Sequence, residues 1–358
     1  MRILHLIPAL SGGGAERQLQ YLAPALARLG HELHVGYVQR GPTMPAFLGV
    51  TLHRLLARSN YDPLLLRRIR RLIKRLQPDV VQTWALQMDV LGGLASLSTH
   101  TPWVFREASV ESCYRRDWKR RVRTLMARFA TALVSNSEGG DAYWSTVVSG
   151  SRRFVVRNGL PLAALDATER FLAQQIGAPV VLHVGRLAAD GTGNKNAMQV
   201  LEVLHAVARR KEIVGLFCGD GPERTRLEKR CDELRLAKHV HFLGEIPMER
   251  VWSIMKKAAA LVSLSAYEGC PNTVLEAMAC HCPLVISDIP AHREIADENC
   301  AWLVDITNTE QVAQAVLDAI SDREKAVTRT ELARRKAEAM DIASVALSYV
   351  DVYERLLQ

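Results

Sequence analysis

At 358 residues the chain is longer than one ordinary domain, and 48% of it is apolar, the proportion of a globular protein, so two packed domains are expected. Its seven cysteines form an odd, scattered set without a Cys-x-x-Cys, which argues against both a disulfide framework and a zinc site. No segment has transmembrane length, and Met1 to Ile7 lack the features of a secretory signal, so a reducing, cytoplasmic setting is expected.

From the N-terminus onward, short β-branched or Leu-rich runs alternate with longer helical patterns, the signature of parallel sheets wrapped by helices. Strands are predicted at 2–7, 32–38, 80–83, 103–106, 132–135 and 154–157. Between the first two stands Ser11-Gly12-Gly13-Gly14-Ala15-Glu16, a glycine turn opening a helix, whose backbone amides can approach a phosphate or sugar. It is not a dinucleotide fingerprint: Arg17 occupies the place of the third glycine, and the second strand ends in Gln39-Arg40 without a carboxylate for a ribose. A purely structural turn explains it nearly as well.

Two basic runs follow, at 67–75 and 115–123, each interleaved with apolar residues at helical spacing. Residues 1–160 hold 23 Lys+Arg against 10 Asp+Glu, net +13, which leaves −5 for the remainder of a chain whose total is +8. Solvated helix faces would account for either run alone; the two together tilt toward an anionic partner, an anionic membrane surface or an acidic acceptor ahead of nucleic acid.

Around Asn158-Gly159-Leu160-Pro161 turn residues break the pattern, and the alternation then restarts with strands at 180–184, 213–218, 240–243, 261–264, 284–287 and 301–304. The expected organisation is α/β: an N-terminal domain, 1–165, and a C-terminal domain, 166–341, both doubly wound and Rossmann-like, facing across a cleft. An amphipathic helix at 342–358 has no position fixed by its pattern; packing back onto the first domain is the option carried forward.

The densest chemistry lies in Tyr267-Glu268-Gly269-Cys270-Pro271-Asn272-Thr273-Val274-Leu275-Glu276. A strand ends before Glu268, Gly269 and Pro271 turn the chain, and a helix is expected to begin at Thr273, its free amides able to bind an anion. Thr273 and Glu276 also read as a capping box, which would spend Glu276 on a backbone amide. That alternative does not account for a second carboxylate, Glu268, on the turn before.

The spacing of Glu268 and Glu276 in EGCPNTVLEAMA resembles the E-x7-E motif of the retaining GT-B glycosyltransferases, the group of glycogen and sucrose synthase-like enzymes and bacterial lipid-glycan transferases. Further pieces follow in that family's order: the glycine turn, Val156-Arg157-Asn158-Gly159, His183-Val184-Gly185-Arg186-Leu187 with Lys195, Cys218-Gly219-Asp220-Gly221-Pro222, and Phe242-Leu243-Gly244.

The resemblance implies a GT-B fold and transfer of a sugar, from a nucleoside diphosphate donor such as a UDP-sugar, to a glycan or lipid-linked acceptor in cell-surface polysaccharide assembly. It implies that Arg186 and Lys195 hold the diphosphate, Glu276 the ribose, and Glu268 the transferred sugar, with the amides of Asn272, Thr273 and Val274 and the turn Gly12-Gly13-Gly14 also on the donor. Many relatives carry a His after the strand that here ends in Arg106-Glu107, so the donor contact it makes is expected from Arg106 or Glu107, or is missing. No cofactor and no metal are expected: the chain contains no Asp-x-Asp, and Arg, Lys and helix-start amides can meet the charge of a leaving diphosphate. His5 and His183 read as core residues, and the tract Cys280-His281-Cys282 as packing ahead of a metal site. A nucleotide-sugar epimerase of the same fold and a non-enzymatic nucleotide- or nucleic-acid-binding module remain the alternatives. The expected location is the cytoplasm, at the inner membrane face.

Overall fold

Strands such as Val80–Trp84 and Ala132–Ser135 are buried at every position, as only a sheet covered by helices on both faces allows. The computed structural model describes residues 1–11, 13–41, 47–57, 62–111, 114, 117–169, 177–188 and 195–358. Among them the chain forms two units, Met1–Gly159 with Met340–Gln358, and Leu160–Ala339.

The first unit runs β1 (Arg2–Leu10), α1 (Gly14–Arg28), β2 (Glu32–Arg40), β3 (Val50–Arg54), α2 (Pro63–Leu76), β4 (Val80–Trp84), α3 (Ala85–Leu97), β5 (Trp103–Glu107), α4 (Trp118–Ala127), β6 (Ala132–Ser135), α5 (Glu138–Trp144) and β7 (Arg153–Val155). Its seven strands pair in parallel in the order β3-β2-β1-β4-β5-β6-β7. The second contains α6 (Leu162–Ala167), β8 (Val180–Val184), α7 (Ala197–Ala208), β9 (Val214–Cys218), α8 (Arg224–Glu233), β10 (Val240–Gly244), α9 (Met248–Met255), β11 (Ala260–Ser263), α10 (Asn272–Ala279), β12 (Leu284–Ser287), α11 (Pro290–Arg293), β13 (Trp302–Val304), α12 (Thr309–Ser321) and α13 (Arg323–Glu338). Its parallel order is β10-β9-β8-β11-β12-β13. Both sheets are doubly wound, as the alternation predicts, and each reverses strand order beside its first strand, where such folds bind ligands.

One strand escapes the sequence pattern, and the C-terminal helix takes the position carried forward for it. The edge strand β3 carries no clean apolar alternation and is only partly buried, so nothing local marks it. Helix α14 (Ile342–Leu357) completes the core of the first unit, burying Val345, Ala346, Tyr349, Val352 and Tyr353 against α1 and its sheet. The Tyr353 hydroxyl donates to Gln82 Oε1 at 2.6 Å. Gly159 lies so close to this helix that a Cβ there would sit 2.4 Å from Ile342 Cδ1, and Gln18 bonds both its N–H and its C=O, at 2.8 and 3.0 Å.

Candidate functional site

In the second unit the switch point falls between β8 and β11, and the motif residues gather at the carboxyl ends of these strands. Gly185 N–H bonds the Cys218 carbonyl at 2.9 Å, Leu187 N–H that of Asp220 at 3.0 Å, and Gly219 N–H that of Gly244 at 2.8 Å, so the three glycine-containing turns are stitched together. Gly219 has φ +130°, and a Cβ there would lie 2.0 Å from the Gly185 carbonyl oxygen; no other residue fits. Past β8, Arg186 is exposed, and its guanidinium enters no ion pair among the described residues.

Lys195 folds back over Gly185, where a Cβ would stand 3.1 Å from Lys195 Cγ, and its Nζ reaches Glu268 Oε1 at 2.5 Å. The hydroxyl of Ser265 donates to the same oxygen at 2.7 Å, so Oε1 is held twice, while Oε2 has no partner among the described residues. Burial pushes the Glu268 carboxyl up, but the charge and hydrogen bond of Lys195, with that of Ser265, more than offset this and hold its pKa below the usual value. Glu268 is thus a carboxylate at neutral pH, suited to accept hydroxyl hydrogens and a poor general acid. Asn196, next to Lys195, sits at φ +48°, a conformation open to Asn as well as glycine, and donates to the Leu264 carbonyl at 2.7 Å.

Helix α10 begins at Asn272, one residue before the predicted start, with Pro271 as its N-cap and no side-chain cap. The Thr273–Glu276 capping box is therefore not formed: Glu276 lies a full turn inside the helix and is 1% exposed. Asn272, Thr273 and Val274 make up the first turn, directly after the loop that carries Glu268.

The first unit corrects two expectations. Arg106 is buried: its Nε donates to Tyr349 Oη at 2.9 Å and its Nη2 to Asn158 Oδ1 at 2.8 Å, while the guanidinium lies 4.2 Å from the Trp84 ring centre. Glu107 is fully buried and accepts from Ser109 N, Tyr114 Oη, Arg123 Nη1 and Trp144 Nε1 at 2.9, 2.5, 2.8 and 3.0 Å. Both oxygens are spent inside the fold, so neither residue stands in for the expected His; they hold α14 and α4 to the sheet. Gly13 is the N-cap of α1, with Glu16 in the first turn folded against it. Gly12 lies outside the described residues, as do the glycine-rich stretch 189–194 and Arg115 and Arg116 of the second basic run. His183 is buried in the core, its Nδ1 3.1 Å from the Val262 carbonyl oxygen. In the Cys-His-Cys tract both thiols are buried while His281 is exposed, and no cluster of His, Cys, Asp and Glu fit for a metal occurs among the described residues.

Comparison with known proteins agrees with this arrangement. Residues 12–164 match the family Glycosyltransferase Family 4 and residues 166–336 the family Glycosyl transferases group 1. The chain is 29% identical over 202 residues to a 2-deoxystreptamine N-acetyl-D-glucosaminyltransferase of Streptomyces fradiae, a match covering 55% of this chain and 46% of that protein, less than half its length. Over 291 residues it is 25% identical to a Campylobacter jejuni α-1,4-N-acetyl-D-galactosaminyltransferase that acts on an undecaprenyl diphosphate-linked glycan, covering 78% and 77%. Among solved structures, Anabaena HepE in complex with UDP and glucose superposes with a TM-score of 0.85 at 20% identity, over 99% of this chain and 100% of that one. Two Rossmann-like parallel-sheet units of this kind define the GT-B class. With both units matched to glycosyltransferase families, the chain belongs to the GT-B glycosyltransferases.

Proposed function

We propose that the chain is a retaining, metal-independent glycosyltransferase that moves a sugar from a nucleoside diphosphate donor, a UDP-sugar in the first instance, to a glycan or lipid-linked acceptor of cell-surface polysaccharide. The observation that carries this reading is the Lys195–Glu268 pair, with Arg186 exposed just past β8 and the start of α10, which has no side-chain cap, following the Glu268 loop. Cations and amides suit a diphosphate, and a carboxylate with one open oxygen suits sugar hydroxyls.

In this reading Arg186 and Lys195 bind the diphosphate and stabilise it as it leaves, Glu276 takes the ribose hydroxyls, and Glu268 a hydroxyl of the sugar. The bond from the anomeric carbon to the phosphate oxygen breaks, and the acceptor oxygen attacks the same face. Its proton passes to the departing phosphate. UDP as the nucleotide is favoured by the UDP complexes of HepE, and a lipid-linked acceptor by the Campylobacter relative. Freedom from metal rests on the lack of any Asp-x-Asp in the sequence.

The acceptor side of the reading places the protein at the cytoplasmic membrane face. Helices α2, α3 and α4 pack side by side, and α2 exposes Arg67, Arg70, Arg71 and Lys74 with half-exposed Leu64. On α4 and just past its C-terminal end Trp118, Leu125 and Phe129 are more than half exposed. Such a face suits an anionic bilayer surface; no helix among the described residues is long and apolar enough to cross one. The proposal is tested by proton NMR of the product formed from an α-linked donor: an α-glycoside supports retention, and a β-glycoside refutes it.

A further inference from the structure

Eight residues, Leu264 to Pro271, join β11 to α10 and carry Glu268 without belonging to either element. A loop of that length holds a carboxylate in place only if something fixes its backbone. Besides the Asn196 bond to the Leu264 carbonyl, the fixing contacts come from beyond the motif. Ser287, the buried last residue of β12, donates its hydroxyl to the Ser265 carbonyl at 2.6 Å. His292 on α11 is fully buried, and its Nδ1 lies 2.7 Å from the Ser287 carbonyl oxygen and 3.2 Å from Ser287 Oγ.

These distances set the tautomer. With the Ser287 hydroxyl hydrogen committed to Ser265, both atoms facing Nδ1 are acceptors, so Nδ1 carries the hydrogen. Burial pushes the ring pKa down to about 4, so the imidazole is neutral and Nε2 is a bare lone pair. That atom is buried with no partner among the described residues. An apolar side chain would fill the space without this cost, so the useful part of the ring is its Nδ1–H. The contacts then run from His292 to Ser287, to the Ser265 backbone, and through the Ser265 hydroxyl to Glu268 Oε1, where Lys195 also arrives.

We propose that Ser287 and His292 are positioning residues of the donor site: they clamp the Ser265 turn so that Oε1 of Glu268 stays tied to Ser265 and Lys195 while Oε2 faces the sugar. The inference rests on the donor-site reading above and assigns these two residues to discrimination between a nucleotide-sugar and its bare nucleotide.

The test is calorimetric titration with UDP and with the tighter binding of UDP-glucose and UDP-N-acetylglucosamine. In Ser287→Ala and His292→Leu, UDP affinity stays within about twofold while nucleotide-sugar affinity falls about tenfold, the size of one hydrogen bond to a charged group. His292→Asn, which keeps an N–H near the position of Nδ1, recovers most of the loss. An unchanged ratio of the two affinities in both variants overturns the inference. So does an equal loss for both ligands with a lowered melting temperature that Asn does not rescue, because the residues then only support the fold. A wild-type protein that binds neither ligand overturns the donor reading and this inference with it.

Discussion

Lys195 Nζ lies 2.5 Å from Glu268 Oε1 although 73 positions separate the residues, and each restricts what the other can do. The ammonium keeps the carboxylate ionised, and the carboxylate holds the ammonium on the loop that leads into α10. Lys195→Ala therefore acts twice: it removes a cation from the proposed diphosphate site, and it leaves burial of Glu268 opposed chiefly by Ser265, raising its pKa. By analogy with the loss of one preorganised charge-stabilising donor, kcat falls about 100-fold or more in Lys195→Ala and in Arg186→Ala. Turnover measured across pH checks both. The acid limb moves upward only in Lys195→Ala, and wild-type turnover in both variants removes their assigned roles. The sign for stability follows: the pKa of Glu268 is depressed in the fold, so its contribution is present above the unfolded value of 4.5 and lost as pH falls below it.

In the first unit the buried carboxyl of Asp89 brings a pH response of its own. Arg123 bonds Asp89 and Glu107, each at 2.8 Å, and all three are buried. Burial raises the Asp89 carboxyl to about 6, despite the opposing pull of Arg123 and Thr83. A raised pKa favours the protonated form in the fold, so this contribution is full below 3.8 and lost as pH rises to about 6. Asp89→Asn flattens the stability profile across that window without destabilising the protein at pH 7. Arg123→Met leaves two buried carboxylates without their cation and costs about 3–5 kcal/mol. Denaturant unfolding between pH 4 and 7 distinguishes the two variants, and equal losses in both contradict the network described.

How far these residues could be read from sequence depends on how local their contacts are. Most strands announce themselves as short runs of buried β-branched residues; β3, an edge strand without a single fully buried residue, does not. Glu268 and Lys195 stand in ordered motifs and can be singled out, whereas Ser287 ends an ordinary buried strand and His292 follows it, with nothing nearby to mark either. Arg106 and Glu107 end a strand at a ligand-binding edge, which suggests a site. Their surroundings are set by Tyr349, 243 positions away, and by Arg123 on α4, and no local pattern reports either.

Membrane attachment through the basic face is electrostatic and must weaken with salt. Each basic residue close to an anionic surface is worth about 1 kcal/mol, so replacing Arg67, Arg70 and Arg71 by Gln weakens sedimentation with phosphatidylserine vesicles on the order of 100-fold. Binding insensitive to both salt and the substitutions excludes this face as the attachment surface.

The donor site is tested most directly by the melting temperature of the purified protein without added metal, in the presence of UDP, GDP, ADP, NAD and their sugar conjugates. A ligand at about 100 times its Kd adds roughly 2.7 kcal/mol of stability. One diphosphate family, UDP first, stabilises the wild type, and Glu276→Ala loses the effect. Stabilisation by NAD alone, or by none of these ligands, contradicts the account.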